Sequence, residues 1–341
     1  MDLENAAQLC RENLRAMEMF SRLLQLEGGC FSAEEVDAFA KECGLETQAA
    51  FYLLSASACG LEPDRRPADK HLMMRYLVPS LSRQNTENYV QNPYYARIRF
   101  PEASRGEWRM TKLSCAPYQI FPCGDTFLLP DGREIAPMGY FTESFSFPAV
   151  LENGREWMTI KPNEMETMKE PIRAAYGNTV VFGLGLGYYA FMVSEKENVH
   201  SVTIIERDQN VISLFQEHLL PQFPHKNKIR IIQADAFDYL THEMSRNVYD
   251  FAFADIWHDI SDGLPLYLKF RKAERAYPHV QFKYWIEQSM LIFLRSFMLE
   301  DWIARAGRLD RFLSSDCIAD DFCSLEIIRQ TTPQIDPAEL R

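Results

Sequence analysis

The chain has 341 residues, of which 47% are hydrophobic and 25% are charged, a composition typical of a globular protein with room for two domains. Its formal net charge at pH 7 is -12, and its adjacent basic residues Arg65 and Arg66 lie beside Asp64 and Asp69 rather than in a basic patch. Because a strongly acidic chain is repelled by phosphate backbones, this composition predicts no nucleic-acid partner.

The hydrophobic runs and the cysteines indicate the cellular compartment. The acidic first four residues lack the apolar core of a signal peptide, and the charge-free apolar stretch of residues 179–194 is too short to span a membrane. The eight cysteines form no C-x-x-C pair and show no metal-ligand spacing. These features predict a cytoplasmic protein with free thiols, no membrane association and no metal site.

The first hundred residues carry helix signals. Residues 2–26 place apolar side chains at helical spacing and end at two glycines. A capping box that starts at Ser32 predicts a second helix, which Gly44 ends, and the apolar stretch 49–58 predicts a third. We therefore expect a helical N-terminal region over residues 1–100.

Turn residues are dense over residues 106–160, which we interpret as a small antiparallel sheet. The Asp131-Gly132 pair between Phe127–Leu129 and Arg133–Ile135 predicts a β-hairpin within it. After this region, Asn163 and Glu166 have the spacing of a capping box, which predicts the start of the next helix.

From residue 179, apolar strands alternate with helices. The strand candidates are Thr179–Phe182, Ser201–Ile205, Lys228–Ile232 and Asp250–Ala254. This alternation predicts an α/β fold with a doubly wound, mostly parallel Rossmann-like sheet, whose sites lie at the carboxyl ends of the strands. The expected domains are a helical region (1–100), a β-rich region (101–165), a Rossmann-like domain (166–306) and a C-terminal extension (307–341).

A glycine-rich segment follows the first of these strands. Gly183, Gly185 and Gly187 recur at every second position between the strand and a predicted helix. Such glycines let the backbone turn sharply and approach a ligand closely, and the amides of the turn and the helix start can hold a carboxylate or phosphate. The same pattern also occurs where a strand–helix turn needs glycine only for packing.

Acidic residues follow the next three strands. Glu206 lies 19 residues after Gly187, where a carboxylate can accept hydrogen bonds from both hydroxyls of a ribose. Asp235 follows the third strand, where its carboxylate can accept from an adenine amino group while the amide of Ala236 donates to the ring. Asp235 also suits a helix N-cap, a role compatible with the first. Asp255 follows the fourth strand.

Residues 175–262 resemble the domain of class I S-adenosylmethionine-dependent methyltransferases, in which a glycine loop, a ribose acid, an adenine acid and a strand-four Asp occur in this order. The resemblance implies that the three glycines hold the methionine end of S-adenosyl-L-methionine. It implies that Glu206 holds the ribose and that Asp235 and Ala236 hold the adenine. Asp255 would then lie by the methionine amino group or the transfer site.

The order of regions is most similar to the spermidine-synthase-like branch of that superfamily, in which a small β-rich region precedes the nucleotide domain. Asn163-Glu164-Met165 resembles the carboxylate-bearing helix start of that branch. Two departures count against polyamine synthesis. The glycine loop holds only leucines where the branch has an acid, and Asp255 and Asp259 are farther apart than its paired aspartates.

Three further motifs leave alternatives open. Residues 185–190 also fit the dinucleotide pattern G-x-G-x-x-A, with Glu206 as the ribose acid. Residues 92–95, Asn-Pro-Tyr-Tyr, are similar to the N-P-P-Y motif of amino-group methyltransferases but lack its second proline, which favours a simple turn. His258, beside Asp259 beyond the fourth strand, suits a general base, although a lone loop histidine more often has a structural role.

The C-terminal part has fewer signals. A candidate fifth strand over residues 280–285 precedes a strongly apolar helix from Ile286 to Ala306, which Gly307 ends. Residues 325–328 are the remaining strand candidate. The apolar helix would pack on the N-terminal region or on a second subunit, which makes a homodimer a candidate assembly.

Together these features predict a methyltransferase that uses S-adenosyl-L-methionine and acts on a small-molecule acceptor. Methyl transfer from a sulfonium depends mainly on alignment, and it needs a base only if the acceptor must lose a proton. The candidate catalytic residues are Asp255, His258, Asp259 and Glu164. The sequence does not identify the acceptor. The alternatives are a spermidine-synthase-like aminopropyltransferase and a non-catalytic S-adenosylmethionine-binding protein.

Overall fold

A computed structural model describes residues 3–26, 31–244 and 248–304 of the chain. The helices, in chain order, are α1 (Leu3–Gln25), α2 (Ala33–Cys43), α3 (Thr47–Ala58), α4 (Pro67–Leu72), α5 (Val78–Ser80), α6 (Thr86–Val90), α7 (Pro93–Arg97), α8 (Pro162–Ala174), α9 (Tyr188–Ser194), α10 (Gln209–Leu214), α11 (Ala236–Asp238), α12 (Ile260–Ala273) and α13 (Glu287–Ala304). Turns of π type lie at Met73–Leu77, Phe215–Leu219 and Tyr239–Glu243.

The strands range from two to eight residues in length. In chain order they are β1 (Leu81–Arg83), β2 (Ala103–Arg105), β3 (Trp108–Cys115), β4 (Phe121–Pro122), β5 (Phe127–Leu128), β6 (Glu134–Ile135), β7 (Met138–Tyr140), β8 (Phe145–Glu152), β9 (Arg155–Thr159), β10 (Gly177–Phe182), β11 (Val199–Glu206), β12 (Ile229–Gln233), β13 (Phe251–Ala254) and β14 (Gln281–Tyr284).

Residue contacts divide the chain into two compact units, each built from separate segments. As far as the structure describes them, the first unit comprises Met1–Gln84, Ala116–Ser144 and Gln288–Arg341, and the second comprises Asn85–Cys115 and Phe145–Glu287. This division differs from the expected domain boundaries, because the β-rich region contributes to both units. The reason is strand pairing: β3 and β8 pair antiparallel along their full length, so the chain between them leaves the second unit and returns to it.

The first unit starts with helices whose ends the sequence specifies locally. Helix α1 buries Phe20 and Leu23 on one face. The Ser32 hydroxyl accepts a hydrogen bond from the amide of Glu35 at 3.2 Å, and the Glu35 carboxylate accepts one from the amide of Ser32 at 2.8 Å. Gly44 ends α2 with a φ of +64°. The predicted capping box and glycine stop are therefore confirmed.

Aromatic rings form much of the core of the first unit. The ring of Phe51 lies 4.4 Å from that of Tyr140 and 5.0 Å from that of Tyr118, measured between centroids. Tyr140 belongs to β7, the middle strand of a three-stranded sheet of order β1-β7-β4. The predicted hairpin is confirmed, since β5 and β6 pair antiparallel with Phe127 opposite Ile135. Residues 106–160 do not form one sheet as expected, because β4 to β7 pair apart from β3, β8 and β9.

The second unit contains two sheets. Four antiparallel strands have the order β2-β3-β8-β9, and five parallel strands have the order β12-β11-β10-β13-β14. The four predicted strands are confirmed as β10 to β13, and the fifth as β14. Continuous apolar runs such as those of β10 and β13 are buried, as expected for strands covered on both faces.

The order of the parallel strands positions the candidate site. The chain moves outward from β10 through β11 to β12, then returns to the other side of β10 with β13 and β14. Such a reversal creates a crevice beyond the carboxyl ends of the central strands, where ligands bind in open α/β sheets. The α/β prediction is confirmed, and the strand order fits a Rossmann-like fold.

The start of α8 corrects one prediction. The helix begins at Pro162 with Lys161 at the N-cap and no side-chain cap, so the predicted capping box of Asn163 and Glu166 is wrong. Proline suits the first helical position, because its missing amide proton would have no partner in the helix. The carbonyl of Asn163 accepts a hydrogen bond from the Thr167 hydroxyl at 2.7 Å inside the helix.

The predicted apolar C-terminal helix corresponds to α13. Its expected end at Gly307 and the strand candidate at residues 325–328 lie outside the described residues. Among the residues that the structure describes, no helix has both the length and the apolar character needed to cross a membrane.

Candidate functional site

The candidate residues of the second unit share the carboxyl edge of the parallel sheet. Gly183 directly follows β10, Glu206 ends β11, and Asp255 directly follows β13. Asp235 comes two residues after the end of β12. Because the strands are parallel, all four positions lie at the same edge.

The glycine turn, residues 183–187, has a left-handed backbone at each of its three glycines. Their φ values are +100°, +50° and +72°. A Cβ on Gly183 would lie 2.0 Å from the carbonyl oxygen of Asp255, one on Gly185 would lie 1.9 Å from the sulfur of Met158, and one on Gly187 would meet the ring of Phe215 at 2.3 Å. Packing and backbone conformation therefore account for all three glycines without any ligand.

Glu206 links the second strand to the glycine turn. One oxygen of its half-buried carboxylate accepts a hydrogen bond from the amide of Leu184 at 3.1 Å, and the other accepts one from the amide of Asp208 at 2.9 Å. A carboxylate offers about four lone-pair sites, so these two bonds leave capacity for further donors. The position is compatible with the ribose role that the resemblance implies.

Asp235 is a helix N-cap, one of the two roles that the sequence analysis gives it. It caps α11, and its Oδ1 accepts hydrogen bonds from the amides of Phe237 at 2.8 Å and Asp238 at 3.1 Å. The side chain of Asp235 is exposed, whereas Ala236 is buried. Beside them, the ammonium of Lys269 lies 3.8 Å from the ring centroid of Phe237.

Asp255 and Glu164 form a carboxyl pair at the end of β13. Burial raises the pKa of Glu164 to about 7, although the Lys161 ammonium partly opposes this effect. Burial and the nearby negative charge of Glu164 together raise the pKa of Asp255 to about 8. The Oε2 atom of Glu164 is buried and has no hydrogen-bond partner among the described residues. The pair is thus a partly buried acidic site with an unused acceptor atom.

His258 and Asp259 lie just beyond the carboxyl pair along the chain. The side chain of His258 is 49% exposed, and its Nδ1 lies 3.1 Å from Oδ2 of Asp262. Asp259 caps α12, accepting a hydrogen bond from the amide of Ser261 at 2.6 Å, while Asp262 accepts one from the amide of Asp259 at 2.9 Å. The His258 ring also meets the ring of Trp157 edge to face at 4.4 Å.

Strand β9 contributes residues that the sequence analysis did not single out. Met158 contacts Gly185 in the turn after β10, and its neighbour Trp157 contacts His258 in the loop after β13. The strand therefore reaches two adjacent ends of the parallel sheet. No local pattern in β9 predicts these contacts, because they depend on how the antiparallel sheet packs on the glycine turn.

Residues 92–95 also contact the glycine turn, and the sequence analysis did not predict this contact. The hydroxyl of Tyr94 donates a hydrogen bond to the carbonyl oxygen of Leu186 at 2.7 Å, and the amide group of Asn92 donates to the hydroxyl of Tyr188 at 2.9 Å. The expected turn at this segment is a helix start, with Asn92 as the N-cap of α7.

Comparisons with known proteins give a match in structure only. No family model matches the chain, and no curated protein matches its sequence. Solved structures that match include the crystal structure of spermidine synthase from Thermotoga maritima, with 16% sequence identity and a TM-score of 0.34. The match covers 59% of this chain and 62% of that one, so this chain covers less than two thirds of the synthase.

Proposed function

We propose that the second unit binds S-adenosyl-L-methionine at the carboxyl edge of its parallel sheet and transfers the methyl group to a small-molecule acceptor. The observation that carries this proposal is the hydrogen bond from the amide of Leu184 to Glu206, at 3.1 Å. This bond sets Glu206, a carboxylate suited to bind a ribose, directly beside the glycine turn, which is suited to bind the methionine end of the cofactor. A single nucleoside ligand can therefore engage both.

The residues around the crevice fit such a cofactor in charge as well as in position. The amides of Gly185 and Leu186 donate to no acceptor in the described part of the chain, which leaves them for a carboxylate. The orphaned Oε2 of Glu164, beside Asp255, suits a cationic group. S-Adenosyl-L-methionine carries a carboxylate, an ammonium and a sulfonium, and the last supplies an electrophilic methyl group when the cofactor is bound.

The carboxyl pair supplies the acid–base chemistry of the chain. With pKa values of about 7 for Glu164 and about 8 for Asp255, the two groups together hold between one and two protons at pH 7, and the remaining carboxylate can accept a proton. A carboxylate whose pKa lies near the working pH is an effective base. The pair can therefore take a proton from an amine or hydroxyl acceptor as that group attacks.

Aminopropyl transfer is the second candidate function. The observation that favours it is the same carboxyl pair, because its unpartnered Glu164 oxygen can accept a hydrogen bond from the free ammonium of an aminopropyl group. The leucines at positions 184 and 186 count against it, since this turn lacks the acid expected of the spermidine-synthase-like branch. A protein that binds the cofactor without turnover is the remaining alternative.

Calorimetry with a panel of nucleosides tests the proposal. We expect S-adenosyl-L-methionine and S-adenosylhomocysteine to bind, decarboxylated S-adenosylmethionine to bind more weakly, and NAD to show no binding. Tighter binding of the decarboxylated compound would favour aminopropyl transfer, and binding of NAD alone would contradict both functions. Incubation with cofactor labelled in its methyl group and pools of amines or alcohols then separates an enzyme from a binding protein. Native mass spectrometry of the protein as purified would identify a retained ligand directly.

A further inference from the structure

The Asn-Pro-Tyr-Tyr segment at residues 92–95 takes part in neither of the proposed reactions, yet its side chains reach both halves of the candidate site. Asn92 caps α7, because its Oδ1 accepts a hydrogen bond from the amide of Tyr94 at 2.9 Å. Pro93 occupies the first position of that helix. The cap sets the two tyrosines on a single helical turn, where adjacent side chains point in different directions.

Tyr94 holds the second half of the glycine turn. Its hydroxyl donates to the carbonyl oxygen of Leu186 at 2.7 Å, and both residues are buried. Its ring packs edge to face against Tyr188 and Phe191 of α9, with centroid distances of 5.7 and 5.4 Å. Burial raises the pKa of Tyr94, so its hydroxyl keeps the proton that it donates.

Tyr95 holds the chain just before the helix that carries Glu164. Its hydroxyl donates to the carbonyl oxygen of Ile160, two residues before α8 begins at Pro162. Burial raises the pKa of Tyr95, and the negative charge of Glu164 adds to this effect, so its hydroxyl keeps the proton that it donates. The Tyr95 ring stacks on Phe145 with 6.0 Å between centroids.

We propose that Tyr94 and Tyr95 are positioning residues that set the spacing between the glycine turn and Glu164. Two adjacent tyrosines on one short helix donate to backbone carbonyls on either side of the site, so neither part moves without breaking a buried hydrogen bond. Both hydroxyls bond to backbone, and the Asn92 side chain bonds to Tyr188 and to the amide of Tyr94, so the contacts of the segment are internal to the chain. The effect on the cofactor rests on the proposed function, whereas the restraint on the turn does not.

Tyr94→Phe tests this proposal, and Tyr189→Phe is its matched control. Tyr189 is also buried, and its hydroxyl donates to a backbone carbonyl at 3.2 Å, but that carbonyl belongs to Pro171 in α8 and not to the glycine turn. Hydrogen exchange of the ligand-free full chain is the primary readout. The hydrogen-bonded amides of the turn, those of Gly183, Leu184 and Gly187, should exchange about fivefold faster in Tyr94→Phe than in the control, as expected from the loss of one buried hydrogen bond.

Two further measurements separate the possible failures. Tyr95→Phe should speed exchange at residues 160–165 and leave the glycine turn unchanged. Tyr94→Phe should weaken the binding of S-adenosylhomocysteine about fivefold, whereas Tyr189→Phe should leave this affinity unchanged. If the wild-type chain binds none of the nucleosides while the exchange difference persists, the proposed function fails and the positioning role stands. Equal exchange in Tyr94→Phe and Tyr189→Phe, or an increase spread over the whole second unit, would overturn the positioning role.

Discussion

Glu206, the last residue of β11, accepts a hydrogen bond from the backbone amide of Leu184 in the turn after β10, at 3.1 Å. The turn follows β10, which pairs in parallel with β11 in a register that sets Phe182 opposite Ile205. The register sets the carboxylate beside the turn, because both strands end at the same level. A ligand that enters the crevice at this edge therefore meets the acid and the turn together.

Replacing Glu206 with Ala should weaken binding of S-adenosylhomocysteine at least tenfold. Under the proposed function the change removes two charge-assisted hydrogen bonds to a ribose, each worth about 1.5–3 kcal/mol before compensation. Calorimetry measures the effect, with unfolding of the ligand-free variant as a check on its fold. Glu217→Ala is the control, because Glu217 pairs with Arg105 in an exposed salt bridge. Unchanged affinity in Glu206→Ala would contradict the ribose assignment.

The carboxyl pair should make the folded chain less stable as pH rises from about 4 to about 8. Below this window both carboxyls are protonated in the folded and unfolded chains. Within it the unfolded carboxyls, with ordinary pKa values of 3.8 and 4.5, have lost their protons, whereas folded Asp255 and Glu164 retain theirs to about pH 8 and 7. The unfolded chain then binds fewer protons, so the free energy of unfolding falls with pH.

Asp255→Asn isolates this contribution, since the amide does not titrate. Urea denaturation at several pH values between 5 and 8.5 should show a shallower loss of stability in the variant than in the wild type. Glu217→Gln, which changes an exposed carboxyl, should follow the wild-type curve. Parallel curves for wild type and Asp255→Asn would show that the pKa of Asp255 is not raised.

Gly185→Ala should destabilise the second unit by about 2–4 kcal/mol, the sum of a left-handed non-glycine residue and an overpacked contact. Gly185 has a φ of +50°, and the added Cβ would lie 1.9 Å from the sulfur of Met158. In a Met158→Ala background the steric part disappears, so the same substitution should cost only about 1 kcal/mol. Denaturation of the four proteins in this double-mutant cycle measures the coupling. If the stability effects of Gly185→Ala and Met158→Ala were strictly additive, Met158 would not be in contact with Gly185.

His258→Ala should keep cofactor affinity within about twofold, since no cofactor contact is assigned to it, yet lower turnover with the acceptor. The expectation follows from its place after β13, with its ring 4.4 Å from that of Trp157. Steady-state kinetics with the identified acceptor checks it, and unchanged turnover would leave His258 as a surface residue paired with Asp262.

Asp259 needs a separate test because it also caps α12. Asp259→Ala should cost about 1 kcal/mol of stability through the lost cap, whereas Asp259→Asn should retain most of it. If Asp259 also faces the acceptor, Asp259→Asn should lower turnover at nearly unchanged stability. A loss of turnover that simply follows the stability of the two variants would restrict Asp259 to its capping role.

Sequence alone determined the features of this protein that depend on neighbours along the chain. The capping box at Ser32, the glycine stop at Gly44 and the Asp131-Gly132 hairpin each depend on a few adjacent residues, and the structure confirms them. The central parallel strands β10 and β13 were equally predictable, because a strand buried on both faces is largely apolar. Asn163 is the exception. Its spacing to Glu166 fits a capping box, but the helix begins one residue earlier, at Pro162, so Asn163 is not the N-cap.

Only the tertiary structure decided which distant residues meet. Three contacts join residues more than 25 positions apart, and no local periodicity encodes them. They are the contacts of Met158 with Gly185, of Trp157 with His258 and of Tyr94 with Leu186. The raised pKa of Asp255 has the same origin, since it requires burial and a charge from another element, Glu164. Strand order and sheet packing set these distances. They follow from the burial of apolar surface over the whole unit, which no single segment of sequence contains.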